Sequence, residues 1–229
     1  MPRTQLHGTR LIRAKMFRSI QIGTGCLAIA ATSVANTPPP SVDFPSDIPS
    51  AANKATVKPV DELRMGTMSV KLEATSLATV RDTVGLGIIQ HQGDASESLF
   101  WLCYTAGESQ RRFRVWIESS GEMGGPDQAV TGVAAEFVDG ETKAPDCPLL
   151  PSRFRPLAFS HGVWLGDTIS AVTKALGIAP TKMGSWLFVG FEGKVPGKCE
   201  GGFDLLNSIA FKVQSDRVMR IQADQVTSC

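Results

Sequence analysis

Two short stretches of the chain place apolar residues at the spacing of one helix face. In the first, Leu77, Val80 and Val84 form a stripe, with Thr75 or Ser76 ahead as a capping side chain and Gly85 behind. In the second, Ile169, Val172 and Leu176 form the stripe, Asp167 stands ahead as the cap, Gly177 ends the run and Pro180 blocks its continuation. Both patterns predict amphipathic helices that are too short to be stable alone.

Strand-like runs follow each helix. After the first come residues 99–104, 113–118 and 130–138; after the second come 186–191, 205–213 and 218–226. Ile209, Phe211 and Val213 alternate with Ala210 and Lys212, the period of a half-buried strand, and Phe113, Val115 and Ile117 alternate with more polar neighbours in the same way. The order helix–strand–strand–strand thus occurs twice, across a Pro-containing join at residues 139–157. Recurrence in a fixed order is the mark of tandem duplication. Aligning Gly124-Gly125-Pro126-Asp127 with Gly201-Gly202-Phe203-Asp204 gives one strand register, and aligning Trp101 with Trp186 gives another. The expected fold is α+β: two tandem αβββ units, residues 60–147 and 148–229, with short helices packed on antiparallel sheet.

The residues ahead of these units read as an export signal and a tether. Arg10, Arg13, Lys15 and Arg18 form a basic region, a moderately apolar run spans 20–31, and Ser33-Val34-Ala35 supplies small residues for cleavage. The basic lead is long, so the start is Met1 or Met16. Gln21, Gly23, Thr24 and Gly25 interrupt the apolar run, which falls short of the roughly 20 residues of a bilayer span. Cys26 raises lipidation, but Gly23-Thr24-Gly25 lacks the apolar residue such a site carries. Residues 36–59, with Pro38, Pro39, Pro40, Pro45 and Pro49 among small polar residues, are expected to form a flexible tether.

Cleavage after Ala35 changes the charge. The leader holds five Lys and Arg and no acid, which leaves 18 basic against 22 acidic residues, a net charge of −4. Such a chain has no basic stripe to neutralise phosphates, which argues against nucleic acid as a partner. Four cysteines remain, Cys103, Cys147, Cys199 and Cys229; an even count in an oxidising compartment predicts two disulfides, with three possible connectivities. If the repeat holds, the simplest pairing is Cys103–Cys147 and Cys199–Cys229, one bridge inside each half. No two of these cysteines are close in sequence and His91 and His161 are the only histidines after the leader, so zinc is disfavoured.

The run Leu165-Gly166-Asp167-Thr168, then Val172, Leu176-Gly177, Pro180 and Trp186, resembles the SmpA/OmlA (BamE-like) envelope family. The tandem, disulfide-containing arrangement is similar to that of the β-lactamase inhibitory proteins. The resemblance covers residues 162–191 and implies a helical layer on an antiparallel sheet, used to bind proteins without chemistry. It carries over no binding residue.

Candidate chemistry is thin. His91 with Asp94 or Ser96 is the densest set of reactive side chains, and an exported hydrolase using them is the enzymatic alternative; the Gly, Asp and Ser around them read first as a polar turn. Residues 119–127 are glycine-rich, but they lack the Lys of a phosphate loop and Glu122 would repel phosphate. Arg111, Arg112 and Arg114 form the dense basic cluster. On a strand, Arg112 and Arg114 share a face with Trp116, a composition suited to an acidic or aromatic partner. Trp101, Trp164 and Trp186 are expected in the core. Together these features predict a non-catalytic, periplasmic or secreted protein that binds another protein through Arg112, Arg114, Trp116 and Glu122. It would need no cofactor or metal and would not insert stably in a membrane once the signal is removed.

Overall fold

The computed structural model describes residues 54–94, 97–108, 111–120, 125, 127–138 and 146–229, which fall within one compact unit, residues 34–229. The expected signal peptide, Cys26, the tether up to residue 53, Ser96 and Glu122 lie outside the described residues.

Both helices form where the periodicity places them. Helix α1 (Leu77–Val84) is capped by Ser76, whose Oγ accepts from Thr79 N–H at 3.1 Å, and it ends on Gly85 in the left-handed region at φ 77°. Helix α2 (Ile169–Leu176) ends on Gly177 at φ 69°. Its cap is Thr168, which accepts from Ala171 N–H at 3.2 Å, and not Asp167 as expected. Asp167 lies one residue too early: its carboxylate turns back to accept from Trp164 N–H at 2.8 Å, closing the loop that leads into the helix.

Five of the six expected strands lengthen, the run expected at 130–138 shortens to Gly132–Phe137, and short neighbours are added. The major sheet holds β3 (Gln90–Gln92), β4 (Leu99–Glu108), β5 (Arg111–Ser120), β6 (Gly132–Phe137), β8 (Thr181–Met183), β9 (Trp186–Val195), β10 (Phe203–Gln214) and β11 (Arg217–Ser228). Every pairing is antiparallel, in the order β3-β4-β5-β6-β11-β10-β9-β8. Each helix is therefore followed by four strands of the major sheet rather than three. The fourth is a three-residue edge strand, β3 or β8, too short for its own periodicity to show. The two sets join through β6 and β11, whose register centres on the pair Val133–Ala223. A smaller sheet, β2 (Met68–Lys71), β1 (Glu62–Met65) and β7 (Leu157–Phe159), completes the architecture.

The main core lies between the small sheet, the helices and one face of the major sheet. Leu77, Val80 and Val84 of α1 and Val172 of α2 pack there with Leu63, Met65, Val70 and Phe159. The major sheet contributes Leu102, Val115, Ile117, Val133, Ile209, Phe211 and Ile221. The end of the expected tether is pinned to this assembly. Ala55 N–H donates to Gly190 O at 2.8 Å, and buried Asn207 brackets Val60 by accepting from its N–H at 3.2 Å and donating to its carbonyl at 2.6 Å. Residues 54–59 are thus held by backbone pairing and by a buried amide that needs those partners.

Cys103 pairs with Cys147 and Cys199 with Cys229, at Cα separations of 4.6 and 5.7 Å. Such bonds form in oxidising compartments outside the cytoplasm. Among the described residues no helix is long and apolar enough to cross a membrane.

Candidate binding face of the sheet

The face of the major sheet turned away from the helices is built from the other half of each strand's alternation. Its residues line up in rungs across β4, β5, β6, β11, β10 and β9. One rung reads Trp101, Glu118, Gly132, Asp224, Ser208, Gly190. The next reads Cys103, Trp116, Ala134, Gln222, Ala210, Phe188, and the third Thr105, Arg114, Glu136, Arg220, Lys212, Trp186. An acidic rung, an apolar rung and a charged rung therefore follow one another, each about 7 Å from the next.

Trp116 is not exposed beside the arginines, as its pattern suggested; it is 2% exposed and Trp101 is 3% exposed. The two pack with Ala134, Cys103 and Cys147 in a cluster of their own, because the disulfide anchors Cys147 onto the strand pair that carries both rings. Trp186, also on this face, packs with Phe188 and Ala210, with Lys212 and Arg220 within about 6 Å of its ring. Trp101 and Trp186 thus lie in buried core clusters as expected, on the face opposite the helices, whereas Trp164 is only partly buried. Trp164 alone of the four reaches the helix side, against Phe113 and Phe159.

Of the expected binding residues, Arg114 and Trp116 occupy neighbouring rungs. Arg112 lies at the end of the same strand opposite Gly107, beside a cleft it lines with Arg111, Phe137, Val138, Gly166, Arg217 and Met219. His91 is exposed on β3 and stacks on Phe100 with ring centroids 4.1 Å apart, and Asp94 is exposed. No hydrogen bond links the two, which gives the hydrolase reading no support.

Among the described residues, four buried polar atoms on this face have no hydrogen-bond partner: the indole N–H groups of Trp101 and Trp116, Nε of Arg114 and Oε1 of Glu118. Each such group costs on the order of 1–3 kcal/mol when left unpaired. Glu118 is 5% exposed, and burial pushes its carboxyl up to about 8, with the charge of Asp224 adding to the effect and Arg220 opposing it. Asp224 is pushed up to about 7 by its withdrawal from water, against hydrogen bonds from Gln222 Nε2 at 3.2 and 3.4 Å.

Sequence reasoning missed Glu118 and Asp224, which lie on strands that meet only through β6. It also missed Leu206 and Val226, a cross-strand pair beside the acidic rung that is 40% and 49% exposed. Apolar side chains at even positions of β10 and β11 were the available signal, since they break the polar alternation of that face. Comparison with protein-family models, with curated proteins and with solved structures finds no match to this chain.

Proposed function

We propose that this chain is an exported, non-catalytic protein-binding module of the periplasm or the extracellular space, docking through the exposed parts of this face, Leu206 and Val226 at one end and the half-buried charged rung at the other. The observation that carries the reading is the apolar pair Leu206 and Val226, 40% and 49% exposed and directly paired across β10 and β11. Exposed Leu206 and Val226 beside the acidic rung, and half-buried Arg114 in the charged rung, offer the entry points. The basic and apolar leader and the two disulfides support export.

We further read the chain as a tandem repeat of the envelope-family type. Ser76 to Gly85 and Thr168 to Gly177 have the same spacing, each cap residue makes an isolated bridge near the last strand of its half, and the strand order of one half mirrors that of the other. The roles that fit such a binder are an inhibitor, an immunity protein or an envelope-assembly adaptor.

The test is affinity capture from crosslinked envelope and culture fractions, with residues 36–229 as bait. One stoichiometric partner, lost with Leu206→Glu and weakened with Arg114→Ala, is the expected result. Trp116→Phe keeps the buried ring and removes only the N–H, so it probes recognition without emptying the cluster. Equal capture by all three variants would rule this face out as the docking surface.

A further inference from the structure

We infer that Glu118 and Asp224 form a proton-held latch on the docking face, closed while the pair is neutral and opened toward solvent at Trp101 when it ionises. The inference rests on the docking reading only for its consequence, that partner access rises with pH; the latch itself is a property of the free chain.

The geometry comes from Gly132. Glu118 on β5 and Asp224 on β11 are both cross-strand neighbours of this residue, one on each side. Two strand spacings, about 9.5 Å, separate their backbones, and the missing side chain between them lets both carboxyls lean into one space. A Cβ at position 132 would stand 2.6 Å from Asp224 Oδ1 and 3.6 Å from Glu118 Oε2. Two carboxylates so placed cannot both ionise without strong repulsion. The buried, unpartnered Oε1 of Glu118 has no donor to hold a negative charge in place.

The surrounding charges do not neutralise the pair. On the same face β5 carries Arg112 and Arg114, β6 carries Glu136, β11 carries Arg220, β10 carries Lys212 and Asp204, and β9 carries Glu192, paired with Lys54 at 2.5 Å. Arg220 is engaged with Glu136 at 3.1 Å and Asp204 with Lys194 of β9 at 2.7 Å. On β4 the facing residues, Trp101, Cys103 and Thr105, do not ionise here, Cys103 being bridged to Cys147. Asp146, next to Cys147, is a further acid beside the tryptophan cluster. His91 of β3 stacks on Phe100, which belongs to the opposite face. Among the described residues Arg220 works against the repulsion, from two rungs away.

Trp101 is the natural reporter, since it is the direct cross-strand neighbour of Glu118. Neutral carboxyls pack against the indole without a charge to solvate. Once one ionises, water must reach it or the side chain must swing outward, and in either case the ring loses its cover. The raised values of about 8 for Glu118 and about 7 for Asp224 put this event between neutral and mildly alkaline conditions.

The experiment is tryptophan emission and acrylamide quenching of the purified free chain from pH 5 to 9, with circular dichroism confirming the fold at each point. A red shift and at least a twofold rise in quenching, with a midpoint between about pH 7 and 8, are expected. The signal should vanish in Trp101→Phe and flatten in Glu118→Gln/Asp224→Asn. Each single variant should move the midpoint, which keeps the test intact if the double variant folds poorly. A flat profile in the folded wild-type chain, or the same transition in the double variant, would overturn the latch. Such a failure leaves the capture experiment untouched, and failed capture with the transition present sinks the docking reading alone.

Discussion

Glu118 keeps a proton that a carboxyl in water gives up near pH 4.5, and that difference is a stability term. In the unfolded chain both carboxyls ionise near their ordinary values of 4.5 and 3.8; in the fold they do so at about 8 and about 7. Between those limits the folded state holds protons that the unfolded state has released. The contribution is therefore fully present below about pH 4 and is lost as pH rises through about 8. Urea unfolding at pH 5 and pH 8 should show wild-type stability falling by at least about 1.4 kcal/mol more than that of Glu118→Gln, one pKa unit's worth. Equal pH dependence in the two proteins would show that Glu118 ionises as it does in water.

At the level of elements, β6 is the narrow part of the design. It joins the two halves of the sheet, and at its start Gly132 leaves Asp224 the room a side chain would fill, with Glu118 at ordinary contact distance on the other side. Gly132→Ala should cost about 1–3 kcal/mol by overpacking, measured by urea unfolding; an unchanged midpoint would mean the carboxyls move aside freely. This joint also marks how far the sequence could be read. The helices, the six long strands and the shared face of Arg114 and Trp116 follow from local periodicity and are present. The edge strands β3 and β8 are too short to show a period, and the small sheet borrows β7 from far along the chain. The acidic pair was illegible because Glu118 and Asp224 become neighbours only through the pairing of β6 with β11. Trp116 packs against Cys147, held there by the Cys103–Cys147 bridge, a pairing that follows from the sequence only on condition of the repeat.

For the whole molecule, the two bridges close loops of 44 and 30 residues, each worth about 4 kcal/mol in the chain-entropy account. Their surroundings differ. Cys103 and Cys147 are buried under the tryptophan cluster, whereas Cys229 is exposed at the chain end. Thermal unfolding should show Cys103→Ala/Cys147→Ala losing more stability than Cys199→Ala/Cys229→Ala, because the first also loosens the packing of Trp101 and Trp116. The opposite order would place the cover of that face elsewhere.

The outer edges of the major sheet bear on what becomes of the protein at high concentration. Edge strands left open are templates onto which other chains add, the first step toward fibrils. Here β3 covers one end of β4, and farther along Thr105 bridges to Leu149, with its N–H donating to Pro148 O at 2.9 Å. Across the sheet β8 covers one end of β9, Lys54 bridges to Gly190, and the remaining length carries the exposed charges of Glu192 and Lys194. Short strands, side bridges and charge together blunt both margins, so a chain with this much sheet can be crowded without seeding its own aggregation.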